Sequence, residues 1–130
     1  MRPFRPRSGK TKGAGLQDHV DELTIRILPE SPQPAVAVSG RVTIDSSPSL
    51  RSALLDLLRD HTAPVLVVDL SGVSYLDASG LATLFEASNA ARQRSVKLRV
   101  VGMGGQPRTL LEVTNLDKVF RAAGSEVELH

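Results

Sequence analysis

The stretch that decides the fold is VDLSGVSYLDASGL, residues 68–81, which joins an apolar run to the start of a helix. Residues 65–70 (VLVVDL) are almost continuously apolar, which is typical of a central strand buried on both faces of a parallel sheet. Residues 71–77 predict a short loop. After the loop, apolar and small residues recur at helical spacing and predict one buried helix face: Leu81, Leu84, Phe85, Ser88 and Ala91.

Two further strands and a helix are predicted on the N-terminal side of this stretch. Residues 23–28 (LTIRIL) and 35–39 (AVAVS) alternate as half-buried strands do, and the proline-rich residues 29–34 between them predict a turn and an antiparallel pair. Ser47 followed by Pro48 is typical of a helix start. Apolar residues then repeat along one helix face: Leu50, Ala53, Leu54, Leu57 and Leu58.

The C-terminal side continues the alternation of strands and helices. Residues 97–101 predict a strand, 102–106 a glycine-rich loop, 107–114 a short helix, 116–122 a further helical turn and 126–129 an edge strand. Two helical crossovers imply parallel neighbours with right-handed connections. The predicted fold is therefore α/β, with a small mixed sheet of four to five strands and helices packed mainly on one face.

Composition limits the class of protein. A chain of 130 residues fits one domain with a true core. The absence of Cys excludes a disulfide scaffold, thiolate zinc sites and a catalytic thiol. The longest unbroken apolar stretch, residues 63–68, is far shorter than the roughly 20 residues of a membrane span. We therefore expect a cytoplasmic protein without a membrane span, whereas the sequence leaves its oligomeric state open.

The charge is distributed unevenly along the chain. Residues 1–15 carry five basic side chains and no acid, whereas the other 115 residues carry 11 basic and 14 acidic side chains. This predicts a basic disordered tail over residues 1–18 and a folded domain over 19–130. Such a tail is either an arm for nucleic acid or anionic lipid, or a solvated leader. We favour the leader, and expect no direct nucleic acid binding, because Phe4 is a poor stacking platform for bases.

Asp77-Ala78-Ser79-Gly80 is the segment where chemistry is most plausible. A helix start presents unpaired backbone N–H groups and a partial positive charge, which suit an anion or a phosphate on a first-turn side chain. The alternative is ordinary helix capping, for which Asp and Ser are favoured. The physical argument alone favours capping.

No other segment predicts an enzyme. Residues 102–107 (GMGGQP) lack the pattern of a phosphate-binding loop and predict a turn with unusual backbone angles. His19, His61 and His130 lack metal-ligand spacing. No complete catalytic set is present, so we predict no catalytic residue, no metal and no cofactor.

The segment ending in Asp77-Ala-Ser-Gly-Leu81 resembles the signature of STAS domains, the family of anti-sigma factor antagonists. In that family a buried strand and a loop precede Asp-Ser-Ser/Thr-Gly-Leu at a helix start. Residues 36–41, 65–73, 96–102 and 110–116 resemble the flanking strands and helices, so the likeness spans residues 23–123. It implies a regulatory binding module that docks through Asp77, Ala78, Ser79, Gly80 and Leu81.

The resemblance implies a switch with two protein partners. The unphosphorylated antagonist binds a kinase-like anti-sigma factor, which frees the sigma factor. The kinase phosphorylates the Ser that follows the Asp, and a serine phosphatase reverses the reaction. Phosphate adds about −1.5 to −2 charges to a surface that must dock closely. Other STAS domains are small subunits of bacterial lipid-transport ATPases, so the alternative function is a STAS subunit of a bacterial lipid-transport ATPase complex.

This sequence departs from the family pattern at the acceptor position. The residue after Asp77 is Ala78, and the hydroxyl comes one residue later, at Ser79. Either Ser79 is the phosphoacceptor, or the domain docks without being phosphorylated there. One residue is about 100° around a helix, so a kinase aligned with the usual hydroxyl meets Ser79 at a different angle.

Overall fold

The structure, a computed structural model, describes residues 2–4, 23–28, 34–60 and 63–129, and these residues form six strands and four helices. The elements are, in order, β1 Arg2–Phe4, β2 Leu23–Leu28, β3 Ala35–Val42, α1 Ser47–Asp60, β4 Val65–Leu76, α2 Ala78–Gln93, β5 Lys97–Met103, α3 Gly105–Thr114, α4 Leu116–Ala122 and β6 Glu126–Leu129. The predicted bounds of β2, α4 and β6 are confirmed.

All strands form one mixed sheet in which spatial order equals chain order, from β1 to β6. The β1–β2 and β2–β3 pairs are antiparallel, and the pairs from β3 to β6 are parallel. Right-handed crossovers between strands in sequential order place the intervening helices on one face of the sheet. This arrangement confirms the α/β class with a mixed sheet.

The core lies between that face and the helices. All five predicted core residues of α1 are buried, and so are four of the five predicted for α2. The fifth, Phe85, is half-buried and its ring stacks on that of Phe120, with centroids 4.1 Å apart. The helical periodicity therefore identified the core-facing sides of α1 and α2 correctly.

The prediction that β4 is buried on both faces is wrong. Leu66, Val68 and Leu70 are buried, whereas the alternate residues Val65 and Val67 remain partly exposed. The physical reason is that the sheet carries its helices on one face, so alternate residues of β4 lie on the less covered face.

The predicted loop over residues 71–77 is largely strand, because β4 continues to Leu76. It stays paired with β3 through Gly40–Val73 and Val42–Leu76, although with register shifts. Its pairing with β5 ends at Asp69 and Val101. Residues 71–76 therefore form a projecting end of β4 with a strand partner on one side.

Three residues of the predicted disordered tail belong to the sheet. Arg2–Phe4 pairs with β2 and adds a sixth strand at the edge of the predicted mixed sheet of four to five strands. The physical reason is that β2 would otherwise present an unpaired edge, which readily accepts another strand. The rest of the tail, residues 29–33 of the proline-rich turn and the three His lie outside the described residues. The domain boundary at residue 19 stays a prediction.

Candidate functional site

Asp77 lies directly after β4 and is the N-cap of α2, with an extended backbone. Its Oδ1 accepts hydrogen bonds from the backbone N–H groups of Ser79 at 2.9 Å and Gly80 at 3.1 Å. The Ser79 hydroxyl donates to the same oxygen at 2.6 Å. The helix start is therefore capped in the predicted way, and the cap engages the candidate phosphoacceptor itself.

The other carboxylate oxygen of Asp77 connects the helix start to the turn after β3. Oδ2 accepts a hydrogen bond from the Ile44 N–H at 3.1 Å, and the Asp77 N–H donates to the Val42 carbonyl at 3.1 Å. Within the turn, the Ser46 hydroxyl accepts from the Thr43 N–H at 2.9 Å. The Ile44 side chain, 71% exposed, therefore projects from a turn that is fixed by hydrogen bonds.

These contacts set the pKa of Asp77. Desolvation is the largest single influence and raises the pKa, but the opposing hydrogen bonds from the Ser79 hydroxyl and from the N–H groups of Gly80, Ser79 and Ile44 together outweigh it. The net result is a pKa below the ordinary aspartate value. Asp77 is therefore a carboxylate at neutral pH.

The predicted site residues differ in their access to solvent. Ala78 is exposed and Ser79 is half-buried, whereas Gly80 and Leu81 are buried. A Cβ on Gly80 would lie 2.5 Å from Leu76 Cδ1 and 2.9 Å from Val42 Cγ1, so α2 starts in close contact with the ends of β3 and β4. A partner can contact Ala78 and Ser79 directly, whereas the buried Gly80 and Leu81 pack the start of α2 against the domain.

Gln106, at the start of α3, also contacts this region and was not predicted from the sequence. Its Oε1 accepts from the Leu76 N–H at 2.8 Å, and its Nε2 donates to the Leu76 carbonyl at 2.8 Å. The loop predicted over residues 102–106 is reduced to Gly104, because β5 continues to Met103 and α3 starts at Gly105. Gly102 with φ +83° and Gly105 with φ +53° have the predicted unusual backbone angles. The sequence signal was the glycine pair before a polar residue, but nothing local identified the partner of Gln106.

Ile44 is the second residue that sequence reasoning missed. It lies between the end of β3 and the start of α1, where no apolar periodicity includes it. The only available signal was a large apolar residue in a polar turn, TID at residues 43–45. Exposed apolar residues of this kind are common singly, so the signal acquires meaning only through the proximity of Ile44 to Asp77.

Among the described residues, no helix is long and apolar enough to cross a membrane. Within the same residues, no group of three or more His, Cys, Asp or Glu side chains is placed to hold a metal ion.

Comparison with known proteins identifies the family. The family model described as "Mlab, STAS domain" matches residues 27–122. The anti-sigma-F factor antagonist RsfB of Mycobacterium tuberculosis is 30% identical over 101 residues, which are 78% of this chain and 81% of the relative. The anti-sigma-B factor antagonist of Listeria monocytogenes is 28% identical over 95 residues, covering 73% and 82% of the two chains.

Solved structures agree with this assignment. An anti-sigma factor antagonist from Mycobacterium paratuberculosis superposes with a TM-score of 0.69 at 30% identity, covering 77% of this chain and 84% of the other. Unphosphorylated SpoIIAA superposes with a TM-score of 0.57 at 10% identity, covering 79% and 86%, and this likeness concerns the fold alone. The chain therefore belongs to the STAS domain family, and its relatives at about 30% identity are anti-sigma factor antagonists, which are regulators and not enzymes.

Proposed function

We propose that this protein binds a kinase-like anti-sigma factor through the start of α2 and thereby relieves inhibition of a sigma factor. The names of the relatives support the class of partner. The observation that carries the proposal is the Asp77 cap, which holds exposed Ala78, half-buried Ser79 and exposed Ile44 in one hydrogen-bonded arrangement. A pre-organised surface of this kind loses little conformational entropy on binding.

The docking surface combines apolar contact with charge. Ile44 and Ala78 supply apolar surface, and Asp77 supplies a carboxylate whose charge persists at neutral pH. Apolar anchors surrounded by polar groups are typical of protein interfaces. Ile44 thus extends the predicted docking segment beyond residues 77–81 to the turn after β3.

Serine phosphorylation controls this docking in the proposed pathway, with Ser79 as the acceptor. The Ser79 hydroxyl donates to Asp77, so a phosphate on that oxygen removes the hydrogen bond and brings a dianion beside a carboxylate. Their repulsion, together with the cost of desolvating a phosphate, weakens the complex. The partner kinase supplies the nucleotide and the Mg²⁺, and a serine phosphatase restores the binding form.

The competing version of the proposal is docking without phosphorylation. Ala78 is the exposed first residue of α2 and carries no hydroxyl, whereas the Ser79 hydroxyl must first leave Asp77 to reach a kinase. In that version Ser79 acts as a helix cap alone, and the complex forms regardless of the kinase activity of the partner.

Calorimetry with the kinase-like protein encoded nearest the gene tests the docking surface. We expect wild type to bind and Ser79→Asp to bind more than tenfold more weakly, about 1.4 kcal/mol. Ser95→Asp is the matched control, because Ser95 is exposed beyond the opposite end of α2 and its backbone, with φ 60°, tolerates Asp. Equal binding by wild type and Ser79→Asp would mean that Ser79 is only a helix cap and that any switch lies elsewhere.

Mass spectrometry after incubation with that kinase and ATP tests the switch separately. We expect one phosphate on wild type and none on Ser79→Ala. If wild type binds the kinase but is not phosphorylated, the protein docks without a phosphorylation switch. Wild type that fails to bind the kinase but binds the ATPase subunit of a lipid transporter would support the alternative function.

A further inference from the structure

Among the described residues, the end of β4 has no strand partner on the side of β5. Pairing between β4 and β5 ends at Asp69–Val101, and β4 continues to Leu76 with β3 alone beside it. In a parallel sheet, the backbone N–H and C=O of one residue point to the same neighbour. At Leu76 these groups face the side of β5, since the following Asp77 N–H donates to β3.

Gln106 takes the place of the missing strand at this residue. A side-chain amide offers one acceptor and one donor side by side, as a peptide group does. Gln106 uses both on Leu76, each at 2.8 Å and across 30 residues of chain. Gly102 in β5 and Gly105 at the start of α3 both have positive φ, so the connection that brings this amide to the end of β4 uses backbone angles that favour glycine.

Leu76 is the residue through which this contact reaches the candidate site. It precedes the cap residue Asp77 directly, and its buried side chain lies against Gly80. A shift of the Leu76 backbone would therefore move the carboxylate of Asp77 and also the Leu76 side chain that packs against Gly80.

We infer that Gln106 is a positioning residue, which fixes the start of α2 by closing the open side of β4. Its effect on partner binding rests on the proposed function, whereas its effect on the geometry of the cap does not. The glycine-rich residues 102–106, which join β5 to α3, thereby acquire a role in placing the amide rather than in binding phosphate.

The test compares Gln106→Leu with wild type by amide hydrogen exchange in the full chain. Leu has nearly the size of Gln but neither polar group, so both hydrogen bonds to Leu76 are lost. We expect the Leu76, Ser79 and Gly80 amides to exchange at least tenfold faster, while core amides such as that of Val100 keep their rates. The control is Gln93→Leu, the same change at an exposed glutamine that ends α2, which should leave all of them unchanged.

A second variant and a binding measurement complete the test. Gln106→Glu keeps an acceptor for the Leu76 N–H but sets a carboxylate against the Leu76 carbonyl, so we expect local exchange at least as fast as in Gln106→Leu. Both variants should bind the anti-sigma factor about tenfold more weakly than wild type.

The outcomes separate this inference from the proposed function. Unchanged exchange at Ser79 and Gly80, or an equal acceleration throughout the core, would overturn the positioning role whatever the partner does. The variants could show fast local exchange while wild type binds no anti-sigma factor. That result would support the positioning role of Gln106 and contradict the proposed function.

Discussion

Asp77 is the residue on which the candidate site depends most. Its two carboxylate oxygens hold the first turn of α2 and the turn after β3, two segments that are distant in the chain. The Asp77 N–H adds a further link, to the Val42 carbonyl at the end of β3. A single side chain thus sets both the cap and the position of Ile44.

The lowered pKa of Asp77 gives a pH prediction. Its folded pKa is below the unfolded value of about 3.9, so its contribution to stability is complete above about pH 4 and is lost as the pH falls through the folded pKa. We expect Asp77→Asn to lower the free energy of unfolding at pH 7 by about 1 kcal/mol, because Asn caps the helix but cannot accept from every donor. Urea unfolding measured between pH 3 and 7 should show this difference shrinking in acid.

The control for this prediction is Asp45→Asn, at an exposed aspartate in the adjacent turn. It should change the free energy of unfolding by less than about 0.5 kcal/mol at pH 7. A difference between wild type and Asp77→Asn that stays constant down to pH 3 would contradict the assigned role of the carboxylate charge.

Local sequence revealed the contacts of Asp77 but not those of Gln106 or Ile44. Asp77 and Ser79 were predicted as a cap because capping involves groups two or three residues apart. Gln106 was not predicted, since its partner Leu76 is 30 residues earlier and a lone amide leaves no periodic signal. Ile44 was missed for the related reason that its exposure is decided by the tertiary position of its turn.

Among the elements, α4 is the shortest helix, with seven residues, and it depends on a single buried anchor. Phe120 is fully buried and stacks on Phe85 of α2, with an interplanar angle of 8°. Isolated helices of this length are not stable in water, so the stability of α4 must come from its packing against the rest of the domain.

We therefore expect Phe120→Ala to lower the free energy of unfolding by about 3–5 kcal/mol, measured by urea denaturation. The matched control is Val119→Ala on the same helix, where the side chain is 48% exposed and the expected loss is below about 1 kcal/mol. Similar losses in the two variants would show that α4 is not anchored through Phe120.

The elements whose extent was mispredicted share a cause. The end of β4 contains Ser71, Gly72 and Ser74, which favour a loop locally, yet pairing with β3 keeps the segment extended. The apolar run at the start of β4 indicated burial on both faces, but its alternate residues lie on the face that the helices leave less covered, which an apolar run by itself does not reveal. Helix faces were predicted well because their periodicity is local.

At the scale of the molecule, the core residues lie between Leu23 and Val127, so the domain predicted over residues 19–130 contains all of them. We expect this fragment to unfold in one cooperative transition, as single domains of this size usually do. Thermal denaturation of the fragment and of the full chain, followed by circular dichroism, checks this. A broad, non-cooperative transition in the fragment would show that the tail, including β1, is part of the folding unit.

The sequential strand order has a consequence for synthesis. Every strand from β2 to β6 pairs with the strand immediately before it, and each crossover helix lies in the chain between the two parallel strands that it connects. As the chain leaves the ribosome, each new strand therefore finds its template already present, and none must wait for a partner translated much later. Contacts that close in the order of translation limit the time during which an apolar sheet edge is exposed to other nascent chains.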